Sequence, residues 1–227
     1  MMWHWDPMYW WFVLPPFLLG LWAQLRIKMA YSAAQQMPAP LSGAAAARHI
    51  LDAAGLNNVG VEMIPGHLTD HYDPRDKVLR LSEDVYQSRS LAAVGIAGHE
   101  AGHALQDAKA YAPLVLRNAA VPMAGFGSGA GMWMLFLGVI LNVSWLLLAG
   151  IVLFAGVVVF QVINLPVEFN ASSRAKAVLV DLGIIDRDGL YYVSKVLNAA
   201  ALTYVAATLQ AIMTLLYYVM RYSSSRD

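Results

Sequence analysis

The chain has 227 residues with no cysteine, 15 Lys and Arg against 15 Asp and Glu, and 59% hydrophobic against 13% charged residues. A mean hydropathy of +0.51 excludes an ordinary soluble domain and points to a membrane protein whose surroundings are the lipid bilayer. The balanced charge offers no broad basic face, which excludes nucleic acid as a partner, and without thiolates a metal has to be held by His and carboxylate side chains.

In chain order, the first apolar run is Met8 to Leu25, about the length a bilayer core requires, with Tyr9, Trp10, Trp11 and Phe12 as an interfacial belt. Asp6 precedes it without any Lys or Arg, whereas Arg26 and Lys28 follow it, the reverse of a secretory signal. The pattern predicts a retained anchor over 1–28 with its N-terminus outside, kinked at Pro15 and Pro16.

From Met29 to Arg117 the composition is that of a soluble domain, rich enough in Lys and Arg to be placed in the cytoplasm. Ser42 caps an Ala-rich helix that stops at Gly55. Three strand-like runs follow, Val59 to Ile64, Leu68 to Tyr72 and Lys77 to Leu81, with Asp73-Pro74-Arg75-Asp76 as a turn, and predict a small hairpin or three-stranded sheet. The run Lys77 to Leu81 is read either as an ordinary half-buried strand or as an open edge to which a substrate backbone adds.

A helix is expected from about Ser90 to Ala110, and its Gly95, Gly98 and Gly102 imply close packing. Two uncharged runs, Val121 to Leu141 and Trp145 to Leu165, joined by Asn142-Val143-Ser144, read as a transmembrane hairpin, with Gly125, Gly127, Gly129 and Gly131 at the spacing of tight helix contacts. Glu168 to Lys195 returns to the cytoplasm, and Asn198 to Met220 spans again or, alternatively, packs on the cytoplasmic domain.

His99-Glu100-Ala101-Gly102-His103 is an H-E-x-x-H sequence. Positions four apart face the same way on a helix, so both imidazoles can grip one ion, with Glu100 beside them to take a proton. The flanking Ala97, Gly98, Ala101, Gly102, Ala104 and Leu105 are small or apolar, so the pair is expected to be buried, where imidazoles and a carboxylate are costly without a metal or hydrogen bonds. A catalytic zinc needs a third protein ligand. The candidates are His67, His71, several Asp and Glu168; topology favours Glu168, because the hairpin returns the chain there, although a carboxylate at a helix start or a partner of Arg174 accounts for it equally well.

The segments Leu68 to Pro74, His99 to His103, Leu165 to Ala175 and Leu197 to Ala207 resemble the bacterial YugP-type neutral zinc metallopeptidases over nearly the whole chain. Such proteins are similar in layout to the HtpX and CAAX-prenyl membrane proteases, in which an H-E-x-x-H helix and a distant Glu share one zinc. The resemblance implies Glu168 as third ligand and one Zn2+ per chain, with peptides or proteins, among them membrane proteins, as substrates. Those relatives usually carry an Asp four residues after the ligand Glu; Ser172 stands there in this chain.

The expected architecture is mainly α and multi-pass, with about four transmembrane helices and a small zincin-like α+β domain holding a short hairpin or sheet. Its parts are the anchor over 1–28, the cytoplasmic domain over 29–120, the hairpin over 121–167, a cytoplasmic helix over 168–197 and a last span with tail over 198–227, in the cell's cytoplasmic membrane. The expected chemistry is peptide-bond hydrolysis by a zinc-activated water with Glu100 as general base. His71, Arg174 and Tyr204 are the candidate transition-state donors and Ser172 a candidate hydrogen-bond partner of a ligand. For His71 capping of the Asp73-Pro74 turn is the plain alternative, for Arg174 an ion pair with Glu168 or Asp181, for Tyr204 interfacial anchoring. His4, His49 and His67 are expected at the surface. A catalytically silent interaction protein with a structural zinc has no use for Glu100, and a transporter would carry charges inside its spans; both rank below the enzyme.

Overall fold

The computed structural model describes residues 7–224; the readings of His4 and Asp6 fall outside the described residues. In chain order the elements begin with α1 (Pro7–Gln35), α2 (Gly43–Ala53), β1 (Gly60–Ile64), β2 (His71–Asp73), β3 (Val78–Ser82) and α3 (Glu83–Gln87). They continue with α4 (Leu91–Ala108), α5 (Ala112–Phe126), a π-helical turn (Gly127–Gly131), α6 (Met132–Ile140), α7 (Ser144–Asp181) and α8 (Arg187–Ser224). The chain divides into two compact units, one comprising residues up to Ala23, Leu116–Leu165 and residues from Leu202, the other Gln24–Val115 and Pro166–Ala201.

The second unit holds the soluble-type sequence. Its α2 starts where expected, the Ser42 hydroxyl accepting from the Ala45 N–H at 3.3 Å, and the chain leaves it through Gly55 at φ +74°, a left-handed conformation that favours glycine. In the same way Ser90 caps α4 by accepting from Ala93 N–H at 3.2 Å. The strands form one sheet of order β1-β3-β2, β1 parallel and β2 antiparallel to β3. Asp73 closes the turn between β2 and β3, its Oδ1 accepting from Arg75 N–H at 2.9 Å, and its other oxygen receives Arg80 at 2.6 Å. The run Lys77 to Leu81 is therefore neither a half-buried strand nor an open edge: β3 is central, paired on both sides, and four of its five residues are buried.

One apolar cluster holds this unit together, with Ile50 and Leu51 of α2, Leu79 and Leu81 of β3, Val94 of α4 and Leu179 of α7 wholly enclosed. Each such side chain contributes about 1.5–3 kcal/mol by leaving water. The alternating apolar positions of β3 thus bind the sheet to the same core against which α4 packs.

In the first unit, α5, the π turn and α6 run antiparallel to the first half of α7. The Gly-rich stretch is internal packing here: a Cβ on Gly127 would collide with the Leu153 carbonyl oxygen, and one on Gly131 would lie 3.2 Å from Phe154 N. Gly125 and Gly129 face open space. Among the described residues, three helical stretches are long and apolar enough to cross a membrane, Ala112–Ile140, Ser144–Asp181 and Arg187–Ser224. Two expectations are corrected. Pro166 does not interrupt α7, which runs unbroken through it, so Glu168 is a mid-helix residue and not a helix-start carboxylate. The last helix begins at Arg187, well before the apolar run that announced it.

Candidate metal centre

The site is built by α4 and α7 within the second unit. Four residues apart on α4, His99 and His103 set their rings edge to face with centroids 4.8 Å apart. Glu168 Oε2 on α7 lies 3.3 Å from His99 Nε2 and 3.7 Å from His103 Nε2. The approach of the two helices depends on the glycines of α4: a Cβ at Gly102 would stand 2.6 Å from the Ala171 carbonyl oxygen, and one at Gly98 3.0 Å from Leu179 Cδ1. Small residues where the helices cross let a carboxylate on one reach two imidazoles on the other.

His103, Glu100 and Glu168 are buried, and the His99 side chain is only 14% exposed. Enclosed in this way, Glu168 Oε2 has no hydrogen-bond partner among the described residues; its contacts to His99 and His103 Nε2 are at ion-pair distance without hydrogen-bond alignment. A buried charged acceptor without an aligned hydrogen-bond donor is unfavourable by about 1–3 kcal/mol. Atoms bound at about 2.0–2.2 Å to a tetrahedral zinc stand roughly 3.3–3.5 Å apart. The 3.3 Å separation falls in that range and the 3.7 Å one just beyond it, and all three donor atoms lie within 4.8 Å of one another. His99, His103 and Glu168 thus form a group able to hold a metal ion, and two imidazoles with one carboxylate suit zinc.

The electrostatics point the same way. Burial pushes the His103 imidazole down, but the neighbouring Glu168 and Glu100 carboxylates and the Gln106 acceptor outweigh it and leave the ring held above its ordinary range. The pocket therefore favours positive charge. Behind the two imidazoles, Ser172 Oγ is 3.1 Å from His99 Nδ1, so this hydroxyl does reach a candidate ligand.

Gln106 was not legible as a site residue, yet it is wholly buried, its Oε1 3.0 Å from His103 Nδ1 and its Nε2 2.8 Å from the Val167 carbonyl oxygen. The available signal was its place: a polar side chain one turn beyond His103 on a helix face otherwise small or apolar. Of the remaining candidates, His71 is exposed on β2 with Nδ1 2.8 Å from the Thr69 carbonyl oxygen. Arg174 donates through Nε to Asn170 Oδ1 at 2.7 Å, and its guanidinium lies 5.9 Å from the Tyr111 ring centroid. Tyr204 is a half-buried residue of the other unit. His67 and His49 are exposed, as expected, and His67 pairs with Asp84 at 2.8 Å.

An H-E-x-x-H helix faced by a glutamate from a long apolar helix defines a membrane-associated zinc hydrolase, and the sequence comparisons agree. Residues 9–223 match the family described as "Putative neutral zinc metallopeptidase", and the chain belongs to it. It is 47% identical over 211 residues to "Putative membrane protease YugP" of Bacillus subtilis (strain 168), covering 92% of this chain and 94% of that protein. No solved structure matches the chain.

Proposed function

We propose that this chain is a membrane-bound endopeptidase in which His99, His103 and Glu168 hold one zinc ion per chain and Glu100 is the general base. The observation that carries the reading is the convergence of the two Nε2 atoms on a buried Glu168 Oε2 that lacks any hydrogen-bond donor. Zinc held there supplies Lewis acidity, which polarises a carbonyl and acidifies water. The carboxylate of Glu100, buried next to the ligands, takes the proton of the attacking water and delivers it to the leaving amine nitrogen. Ser172 and Gln106 orient the two imidazoles. No covalent link between protein and substrate is required.

In this reading α1 is the fourth span, its aromatic N-terminal turns lying at the interface. The zincin-like unit faces the cytoplasm of the cell's inner membrane, because all Lys and Arg except Arg117, Arg221 and Arg226 belong to it. Arg174 and His71, on the same unit as the site, are the candidates for steadying the transition-state oxyanion.

The test compares purified wild type in detergent with Glu100→Gln, measuring zinc content and cleavage of an unstructured protein such as casein. Zinc in both with proteolysis only in the wild type is expected; cleavage that survives Glu100→Gln would overturn the role given to that residue.

A further inference from the structure

We infer that Gln106 is a positioning residue that locks the tautomer of His103, an inference that rests on the zinc reading of the site. One group in this network cannot change roles. The Val167 carbonyl oxygen only accepts, so the atom of the Gln106 amide 2.8 Å from it is the NH2 nitrogen. That turns the amide oxygen toward His103 Nδ1, 3.0 Å away. An amide oxygen also only accepts, so Nδ1 carries the hydrogen. A neutral imidazole has one N–H; its lone pair is left on Nε2, the atom that faces Glu168 Oε2.

A second fixed group closes the chain at its other end. Arg174 only donates, so the side-chain atom of Asn170 that it meets at 2.7 Å is the oxygen. The same oxygen lies 3.1 Å from Gln106 Nε2 and takes the second amide hydrogen. Every hydrogen-bonding atom of a wholly buried side chain is used, and rotating the amide by half a turn would set its oxygen against two acceptors. The lock works one way only. His99 has none of this: its Nδ1 meets the Ser172 hydroxyl, which donates or accepts as required. One ligand is thus fixed in its binding form, while the other adapts. Because Val167 immediately precedes Glu168, the same amide also ties the helix of the two histidines to the helix of the carboxylate.

The test uses the full chain in detergent as wild type, Gln106→Glu and Gln106→Met, and reads zinc affinity by chelator competition beside the melting temperature of each metal-free protein. Glu keeps an acceptor for His103 Nδ1 but sets its other oxygen against Val167 and Asn170; Met keeps the bulk and loses every hydrogen bond. The expected result is a crossing of orders: Gln106→Glu melts lowest yet holds zinc near wild-type strength, and Gln106→Met loses about 10–100-fold in zinc affinity. If Gln106 only packs, affinity follows stability, and Gln106→Met binding zinc as tightly as wild type or better than Gln106→Glu overturns the inference. Wild type without zinc affinity would overturn the metal reading itself, a different result from equal binding by all three proteins, which sinks the tautomer lock alone.

Discussion

Gly102 on α4 faces Ala171 on α7 so closely that a Cβ at position 102 would stand 2.6 Å from the Ala171 carbonyl oxygen. Backbone cannot move aside as a side-chain tip can, so Gly102→Ala is expected to push the helices apart. Destabilisation of about 1–3 kcal/mol and a marked fall in zinc affinity should follow. Gly98→Ala meets only the flexible end of Leu179 at 3.0 Å, and alanine's helix propensity, worth up to about 1 kcal/mol over glycine, offsets that crowding. Thermal melts and zinc titrations of both variants check the contrast; equal effects at the two positions would contradict it.

The Tyr72 hydroxyl donates to Asp107 Oδ2 at 2.7 Å and fastens β2 to α4. Burial, this hydrogen bond and the charge of Asp107 all push the phenol well above its ordinary range. A group whose folded-state pKa is raised adds stability that is complete below the unfolded value, about 10, and is lost as pH climbs through the folded one. Tyr72→Phe should melt lower at neutral pH by the equivalent of about 1–3 kcal/mol, and the gap to wild type should narrow above about pH 10. A gap that widens there would contradict the assignment.

At the other end of the scale, the Arg75 N–H and then the Arg80 guanidinium hold the Asp73 carboxyl below its ordinary range. The sign is opposite: stability is present above the unfolded value, about 3.9, and disappears as pH falls through the lower folded one. Asp73→Asn should therefore show a shallower loss of melting temperature than wild type on acidification below about pH 4.

Within the hairpin, a Cβ on Gly150 would lie 2.6 Å from Leu135 N, whereas Gly129 faces open space. Gly150→Ala should lower the detergent unfolding temperature, and Gly129→Ala should leave it unchanged or raise it slightly. The same measurement on Gly127→Ala should resemble Gly150→Ala, since its Cβ would strike the Leu153 carbonyl.

Local chemistry made much of this molecule readable in advance. Ser42 and Ser90 announce their helices, Asp73 its turn, and the four-residue spacing of His99 and His103 their common face. What stayed hidden depends on partners distant in sequence. Nothing in Lys77 to Leu81 says that β1 pairs with it in parallel, which is what makes β3 central. The alternative reading of Glu168 as a helix-start carboxylate fails because α7 continues through Pro166, although a proline forfeits one backbone bond inside a helix. Glu168 was favoured by chain return and by the family resemblance; the orphaned oxygen that supports its role appears only once α4 and α7 are brought together. Gln106 was missed because two of its three partners, Val167 and Asn170, lie on that second helix.

The most direct test of the zinc assignment is metal stoichiometry with absorption spectroscopy of the bound ion, on wild type and Glu168→Ala purified in detergent, with helical content followed by circular dichroism. The expected wild type holds about one zinc per chain with two imidazoles and a carboxylate as protein ligands, and Glu168→Ala keeps its helices and loses the metal. A Glu168→Ala protein that retains stoichiometric zinc in the same ligand environment would contradict the assignment.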